Sequence, residues 1–208
     1  MIKKRDFGYG EKRTLSFIEK FAIRSRLKIV RQHIASKIKI RNEPINVLEL
    51  GCGFHGSNLI ALKKEFPSCN FTGVDISINQ NIHNDINFIK ADLDLWTPDK
   101  CYDVIFSLAV IEHLTNIEQH FRLIALSTND ASLAIITSPT PQAHIVLATL
   151  AWIGMIDQEE IEDHKLYLTR NGLCQGAFRA GLSVVEYKTF QISLNQVAIL
   201  KKATCRHS

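Results

Sequence analysis

The chain has no pair of cysteines at C-x-x-C spacing, and its five cysteines (Cys52, Cys69, Cys101, Cys174, Cys205) are scattered and odd in number. That argues against a disulfide framework and a cysteine-rich zinc site, and for reduced thiols in a cytoplasmic setting. No apolar run is long enough to span a bilayer. The longest, Ile145 to Ile156, is 12 residues, against about 20 required. The opening MIKKRDFGYGEKR is charged and no apolar core follows it, so no secretory signal is expected there. No His/Asp cluster has metal-ligand spacing, so no metal is expected. Internal repeats and low-complexity tracts are absent as well. What remains is the ordinary composition of a globular protein, 46% apolar and 22% charged over 208 residues, enough chain for one domain with a sizeable core.

Charge is distributed unevenly. Residues 1–41 hold 13 Lys/Arg against three acids, and the remaining 167 hold 12 against 18. A basic N-terminal helical arm (1–44) therefore precedes an acidic body (45–208). Such an arm suits phosphate, an anionic membrane surface or nucleic acid. Ile18, Phe21, Leu27, Val30, Ile34 and Ile38 recur at broken helical spacing, which favours an amphipathic helix with a solvated basic face.

From residue 45 onward, short apolar runs alternate with helix-like stretches. Residues 45–52, 70–77, 86–92, 101–108 and 132–139 are rich in Val, Ile and Phe and read as buried strands. Helical spacing marks SNLIALKKEF and IEQHFRLIALST between them. This β-α-β rhythm predicts an α/β fold, a mainly parallel sheet with helices on both faces. Near the end, a helix over 168–181 precedes strands 182–192 and 195–203. Their two-residue link requires an antiparallel hairpin. Residues 139–167 fit neither rhythm and read as a lid-like insertion.

Glu49 to Gly56 spell ELGCGFHG, whose last six letters match the G-x-G-x-x-G of dinucleotide loops, with Asp75 19 positions further on. Glu49 is out of place in that scheme, because the strand before the first glycine of a dinucleotide loop is apolar. A buried carboxylate there makes sense beside a cationic ligand such as S-adenosylmethionine, with glycines that let the backbone approach it. No tyrosine has a lysine four residues later, so the Tyr/Lys pair of short-chain dehydrogenases is missing.

The landmarks ELGCG, GVDIS, KADLD and YDVIFSLAVIEHL, in that order, resemble the class I S-adenosylmethionine-dependent methyltransferases. The small-molecule branch that includes ubiquinone and menaquinone biosynthesis enzymes is the nearest in look, over roughly residues 45–200. The resemblance implies a Rossmann-like seven-stranded sheet of order 3-2-1-4-5-7-6 and S-adenosyl-L-methionine as cofactor. It implies that Glu49, Gly51 and Gly53 line the methionine end and that Asp75 accepts both ribose hydroxyls. Asp92 would face the adenine amine with Ala91 and Leu93 beside the ring, and Leu108 would supply backbone contact near the methionyl group. The family loop has a third glycine where this chain has His55, which adds bulk at the methionine end.

For the methyl acceptor, His113 in IEHL is the first candidate base, the alternative being that Glu112 and His113 cap or orient the next helix. His164 is the second candidate, with Tyr167 beside it over the acceptor pocket and His144 at another edge of the same mouth. An Asn/Asp-Pro-Pro-aromatic sequence and a nucleophilic cysteine are both missing where nucleic-acid methylases need them, so no nucleic-acid partner is expected. The expectation is O-methylation of a small-molecule acceptor, saccharide- or lipid-linked acceptors included, with peripheral membrane contact permitted by the arm. Oligomeric state is open. Two other classes stay open: a non-catalytic binding protein on this fold, and an NAD-dependent oxidoreductase.

Overall fold

A computed structural model describes residues 17–80, 82–143 and 167–203. A long first helix, α1 (Phe17–Arg41), precedes β1 (Asn46–Leu50), α2 (Ser57–Glu65), β2 (Asn70–Asp75), β3 (Ile86–Lys90) and β4 (Val104–Leu108). A 3-10 turn (Ile111–His113), α3 (Ile117–Ser127), β5 (Leu133–Pro139), α4 (Arg170–Arg179), β6 (Leu182–Phe190) and β7 (Asn195–Lys202) follow. The strands form one seven-stranded sheet of order β3-β2-β1-β4-β5-β7-β6. The first five pair in parallel, and β7 runs antiparallel to both β5 and β6. Fold class, strand order and C-terminal hairpin are those expected from the sequence.

Details of the connections differ from expectation. The hairpin turn is Gln191–Leu194 rather than two residues, and Gln191, Ile192 and Ser193 all take positive φ. The β2–β3 crossover carries no helix among its described residues and spans only residues 76–85. Of the insertion, residues 144–166 lie outside the described residues, and with them His144, Trp152 and His164. The first 16 residues of the basic arm lie outside them too.

Alternation along the strands sorts side chains onto two faces. Val47, Phe71, Val104, Phe106 and Ile135 meet Leu27, Val30 and Ile34 of α1 and Leu59 and Leu62 of α2. On the other face Leu48, Leu50, Ile105, Ala134 and Ile136 meet Phe121 and Ile124 of α3 and Leu173 and Ala177 of α4. The apolar stripe of α1 thus belongs to the core, while Phe21 is exposed. The far end of α1 is anchored at the amino end of the sheet, where Arg41 pairs with Asp103 and Lys37 donates to the Ala131 carbonyl. Asp103 also accepts from the Asn46 amide at 2.8 Å. Because α1 runs antiparallel to β4, its N-terminal half rises toward the carboxyl edge of the sheet, where α/β folds hold their ligands.

One buried pair couples this core to pH. His120 of α3 lies 3.0 Å from Ser107 Oγ of β4, and burial pushes its imidazole down to about 4. The folded state holds this ring neutral, whereas the unfolded chain protonates it near its ordinary value. Its contribution to stability is therefore present above about pH 6.5 and is lost as pH falls toward 4. Urea midpoints between pH 4 and 7 are expected to show that loss in the parent and a flatter profile in His120→Leu combined with Ser107→Ala.

Candidate active site

The first strand ends in a buried carboxylate. Glu49 points to the α1/α2 face, where Asn58 Nδ2, in the first turn of α2, donates to its Oε1 at 2.8 Å. Its Oε2 is sealed from solvent with no hydrogen-bond partner among the described residues. Burial, with Asp75 adding to it and Asn58 opposing, pushes this carboxyl up to about 8. A carboxylate costs several kcal/mol to bury unpaired, so a cationic or N–H donor ligand is the natural partner for the open oxygen.

The chain then turns sharply under the ligand position. Gly51 sits at φ +77°, and its amide donates to Val74 O at 2.8 Å. A Cβ there would lie 2.5 Å from Val110 Cγ2. Gly53 sits at φ +68°, and nothing lies within 4 Å of where its Cβ would be. Its bare backbone faces open space, as close approach of a ligand requires. The Gly53 amide donates to Asp75 Oδ2 at 2.8 Å. Asp75 Oδ1 accepts from the Ser77 amide and hydroxyl at 2.8 and 2.7 Å. Asp75 therefore stitches the glycine loop to the tip of β2, which keeps at least one of its lone-pair sites for a ligand hydroxyl.

The side chain of His55 is turned to solvent rather than packed into the loop. It is exposed, and its ring stands edge-on to Phe54 at 4.9 Å. Gly56 serves the helix instead. It precedes α2 at φ +53°, where a Cβ would meet the Phe88 ring at 2.5 Å.

The remaining expected residues continue along the same edge. The Ala91 amide donates to Asp75 O at 3.1 Å. Asp92 is exposed, and its Oδ1 accepts from the Asp94 amide at 2.9 Å in a local turn. Leu93 is buried on the α3 face. Leu108 ends β4 half-buried, and Ala109 follows at φ +56°. Glu112 and His113 do not cap α3. They form their own 3-10 turn, and α3 is capped by Asn116, whose Oδ1 accepts from the Gln119 amide at 3.0 Å. His113 is half-buried and Glu112 buried. Burial raises the Glu112 carboxyl above its ordinary range, opposed by nearby His113 and Arg26. Tyr167 is half-buried, and burial together with Glu112 raises its phenol, which brings α4's leading segment near the 3-10 turn.

Three residues absent from the expected set belong here: Asn58, Ser77 and Arg26. Ser77 had a local signal, since D-x-S at a strand end makes an Asx-type turn. Asn58 had a weaker one, a polar residue in the first turn of the helix after the glycine loop. Arg26 lies 169 residues from its partner Asn195, whose Oδ1 accepts from Arg26 Nη2 at 2.7 Å.

A Rossmann-like sheet with an acid-x-Gly-x-Gly loop and a carboxylate at the tip of the second strand defines a class I S-adenosylmethionine-dependent methyltransferase. The model of one family, described as a methyltransferase domain, matches residues 19–187, and the chain belongs to that family. The ubiquinone biosynthesis O-methyltransferase of Rickettsia prowazekii is 30% identical over 132 residues, 57% of this chain and 51% of the relative. The malonyl-[acyl-carrier protein] O-methyltransferase 2 of Ilyobacter polytropus is 33% identical over 100 residues, 42% of this chain and 38% of that protein. The chain thus spans about half, or less, of the length of these curated relatives. Among solved structures, the magnesium protoporphyrin IX methyltransferase of Synechocystis PCC 6803 with bound SAH has the same fold. Its TM-score is 0.66 at 14% identity, over 94% of this chain and 91% of that one. A plantazolicin methyltransferase in complex with a substrate analogue and SAH matches with TM-score 0.66 at 17% identity, over 88% and 84%. The family's cofactor is S-adenosylmethionine, and the residues present fit it: a Glu49 oxygen with no partner among the described residues, a bare glycine backbone, and Asp75 at the tip of β2 with a lone-pair site left for a hydroxyl. No helix among the described residues is long and apolar enough to cross a membrane.

Proposed function

We propose that this chain transfers the methyl group of S-adenosylmethionine to an oxygen of a small-molecule, saccharide-linked or lipid-linked acceptor. The observation that carries the reading is the Glu49–Gly51–Gly53–Asp75 constellation, in which one loop joins an unsatisfied buried carboxylate to a ribose-type carboxylate. The two relatives named as O-methyltransferases support oxygen as the acceptor atom. When bound, the cofactor supplies a methyl carbon on a positively charged sulfur.

In this reading Glu49 holds the amino group of the methionine end, Gly51 and Gly53 admit it, and Asp75 orients the ribose. Ala91, Asp92 and Leu93 flank the adenine, with Asp92 toward its amine, and Leu108 lies near the methionyl group. His113 takes the acceptor proton where one must leave, and Tyr167, His144 and His164 line the acceptor mouth. Alignment and exclusion of water account for the rest of the rate.

Calorimetry with S-adenosylhomocysteine and with NAD tests this directly. Binding of the first in the micromolar range and none of the second is expected; NAD binding alone would sink the reading. Binding without methyl transfer to any acceptor would favour a non-catalytic binding protein. Asp75→Ala is expected to weaken S-adenosylhomocysteine by roughly 2–4 kcal/mol, through the lost hydroxyl acceptor and the freed Gly53 amide. Unchanged affinity would remove Asp75 from the site.

A further inference from the structure

Position 26 lies half-buried beside the stripe of α1 formed by buried Leu27, Val30 and Ile34. Residues 26, 30 and 34 follow one another at four-residue spacing on one helix face, and Val30 and Ile34 are fully buried. A guanidinium therefore sits at the edge of that stripe. Arg26 Nη2 donates to Asn195 Oδ1 at 2.7 Å. Its Nε is shut off from solvent with no acceptor among the described residues. For folding alone this is a poor arrangement, since a half-buried cation whose Nε is cut off from water gives up hydration without a matching acceptor among the described residues.

Its place in the sheet says what could repay that cost. Asn195 lies opposite Pro139, at the carboxyl end of β5. Along that edge the order runs from Asp75 on β2, through Glu49 on β1 and the Glu112 turn after β4, to Pro139 on β5 and Asn195 on β7. Arg26 thus stands beyond β4 from the glycine loop, along the same carboxyl edge of the sheet. Glu112 is the carboxyl that acts on its charge, and Glu112 Oε2 is likewise buried without a hydrogen-bond partner among the described residues. Burial favours the neutral form of Glu112, so it compensates the guanidinium incompletely.

We infer that Arg26 is the counter-ion of the methyl acceptor, which attacks as an anionic oxygen, a carboxylate or an ionised phenol, and not as an amine. This rests on the methyltransferase reading. An oxygen lone pair forms the new O–CH3 bond while the C–S bond breaks with its electron pair moving to sulfur. The negative charge of the acceptor and the positive charge of the sulfonium disappear together. An amine would instead become an ammonium beside a half-buried guanidinium, a like-charge contact that partial exclusion of water penalises. A carboxylate needs no base at neutral pH, whereas a phenol first loses its proton, the role given above to His113.

The test uses the full chain loaded with S-adenosylhomocysteine, titrated with benzoate, 4-nitrophenolate and benzylamine by calorimetry or ligand-observed NMR. At least one anion is expected to bind and benzylamine is not. Binding of benzoate alone assigns a carboxylate acceptor, and binding of 4-nitrophenolate alone assigns a phenol. Arg26→Gln is expected to weaken the anion about tenfold or more, as loss of a charge-assisted hydrogen bond does, with S-adenosylhomocysteine affinity unchanged. Arg26→Lys should hold the anion within a few-fold. If Arg26→Gln does not fold, Asn195→Ala, which releases the guanidinium from its hydrogen-bonded neighbour, is expected to change anion affinity several-fold. The inference is overturned if benzylamine binds in place of the anions or if neither anion binds up to tens of millimolar. Anion affinity that ignores both Arg26→Gln and Asn195→Ala overturns it as well. Failure of S-adenosylhomocysteine itself to bind is a separate outcome that removes the methyltransferase reading, and this inference with it.

Discussion

Gly51→Ala is expected to abolish S-adenosylhomocysteine binding at micromolar concentrations and to destabilise the protein by roughly 2–5 kcal/mol. Two costs add. An L-residue at φ +77° carries about 1–2 kcal/mol of backbone strain. Its Cβ would lie 2.5 and 2.9 Å from the two γ-methyls of Val110, an overpacking worth about 1–3 kcal/mol. Rotating the valine does not clear the contact, because Val110 Cβ itself is only 3.3 Å away. The relief available is a shift of the loop, which carries Gly53 away from Asp75. The double variant Gly51→Ala/Val110→Ala separates the terms: it should recover the steric part of the loss and leave the backbone part. Urea unfolding together with calorimetry on both variants checks this, and a single variant with parental affinity would show that the loop does not hold the ligand.

The second large effect comes from Glu49. In the ligand-free protein its carboxyl titrates near 8, against about 4.3 in an unfolded chain. The folded state therefore retains a proton that the unfolded state releases. Glu49's stabilising contribution is fully present below about pH 4 and is lost as pH rises through 8. At about 1.4 kcal/mol per pKa unit, the span is worth several kcal/mol. A ligand that brings an ammonium group to Oε2 favours the ionised form, so binding releases the proton. Calorimetry at pH 6–7 in buffers of different ionisation enthalpy should report close to one proton released. Affinity should rise with pH up to about 8 and flatten above it. Glu49→Gln should bind without proton release and at least roughly a hundredfold more weakly, since a neutral amide replaces a charge-assisted partner. Proton release that persists in Glu49→Gln would assign the titration to another group.

Glu49 and His120 pull the stability profile in opposite directions. One contribution is lost on the way up to pH 8 and the other on the way down to pH 4. Both follow from carrying an ionisable side chain into a sheet covered on both faces.

How much of this was legible beforehand differs from residue to residue. Glu49, Gly51, Gly53 and Asp75 could be read directly, because in a parallel α/β sheet every ligand-bearing loop follows its own strand and is local in sequence. The shape of the His55 loop could not. Bulk at position 55 mattered only if the side chain turned inward, and the backbone at Gly53 and Gly56 turns it outward. Glu112 and His113 were legible as a pair but not as a separate 3-10 turn, since Asn116 takes the capping role three residues later.

The strand order came from the family resemblance, while strand periodicity, the spacing of apolar runs and the short link near the C-terminus sufficed for a mainly parallel sheet, the helices on both faces and the antiparallel hairpin. These depend on contacts within about ten residues and on the alternation of side chains across a strand. Arg26 is the opposite case. Its helix is readable, yet its significance arises only when α1 lies antiparallel along β4 and brings position 26 to Asn195, at the carboxyl edge of the sheet. The open oxygen of Glu49 is of the same kind. Burial, and the absence of a second partner among the described residues after Asn58 has taken one oxygen, are properties of the packed molecule, because desolvation is set by every neighbouring element at once.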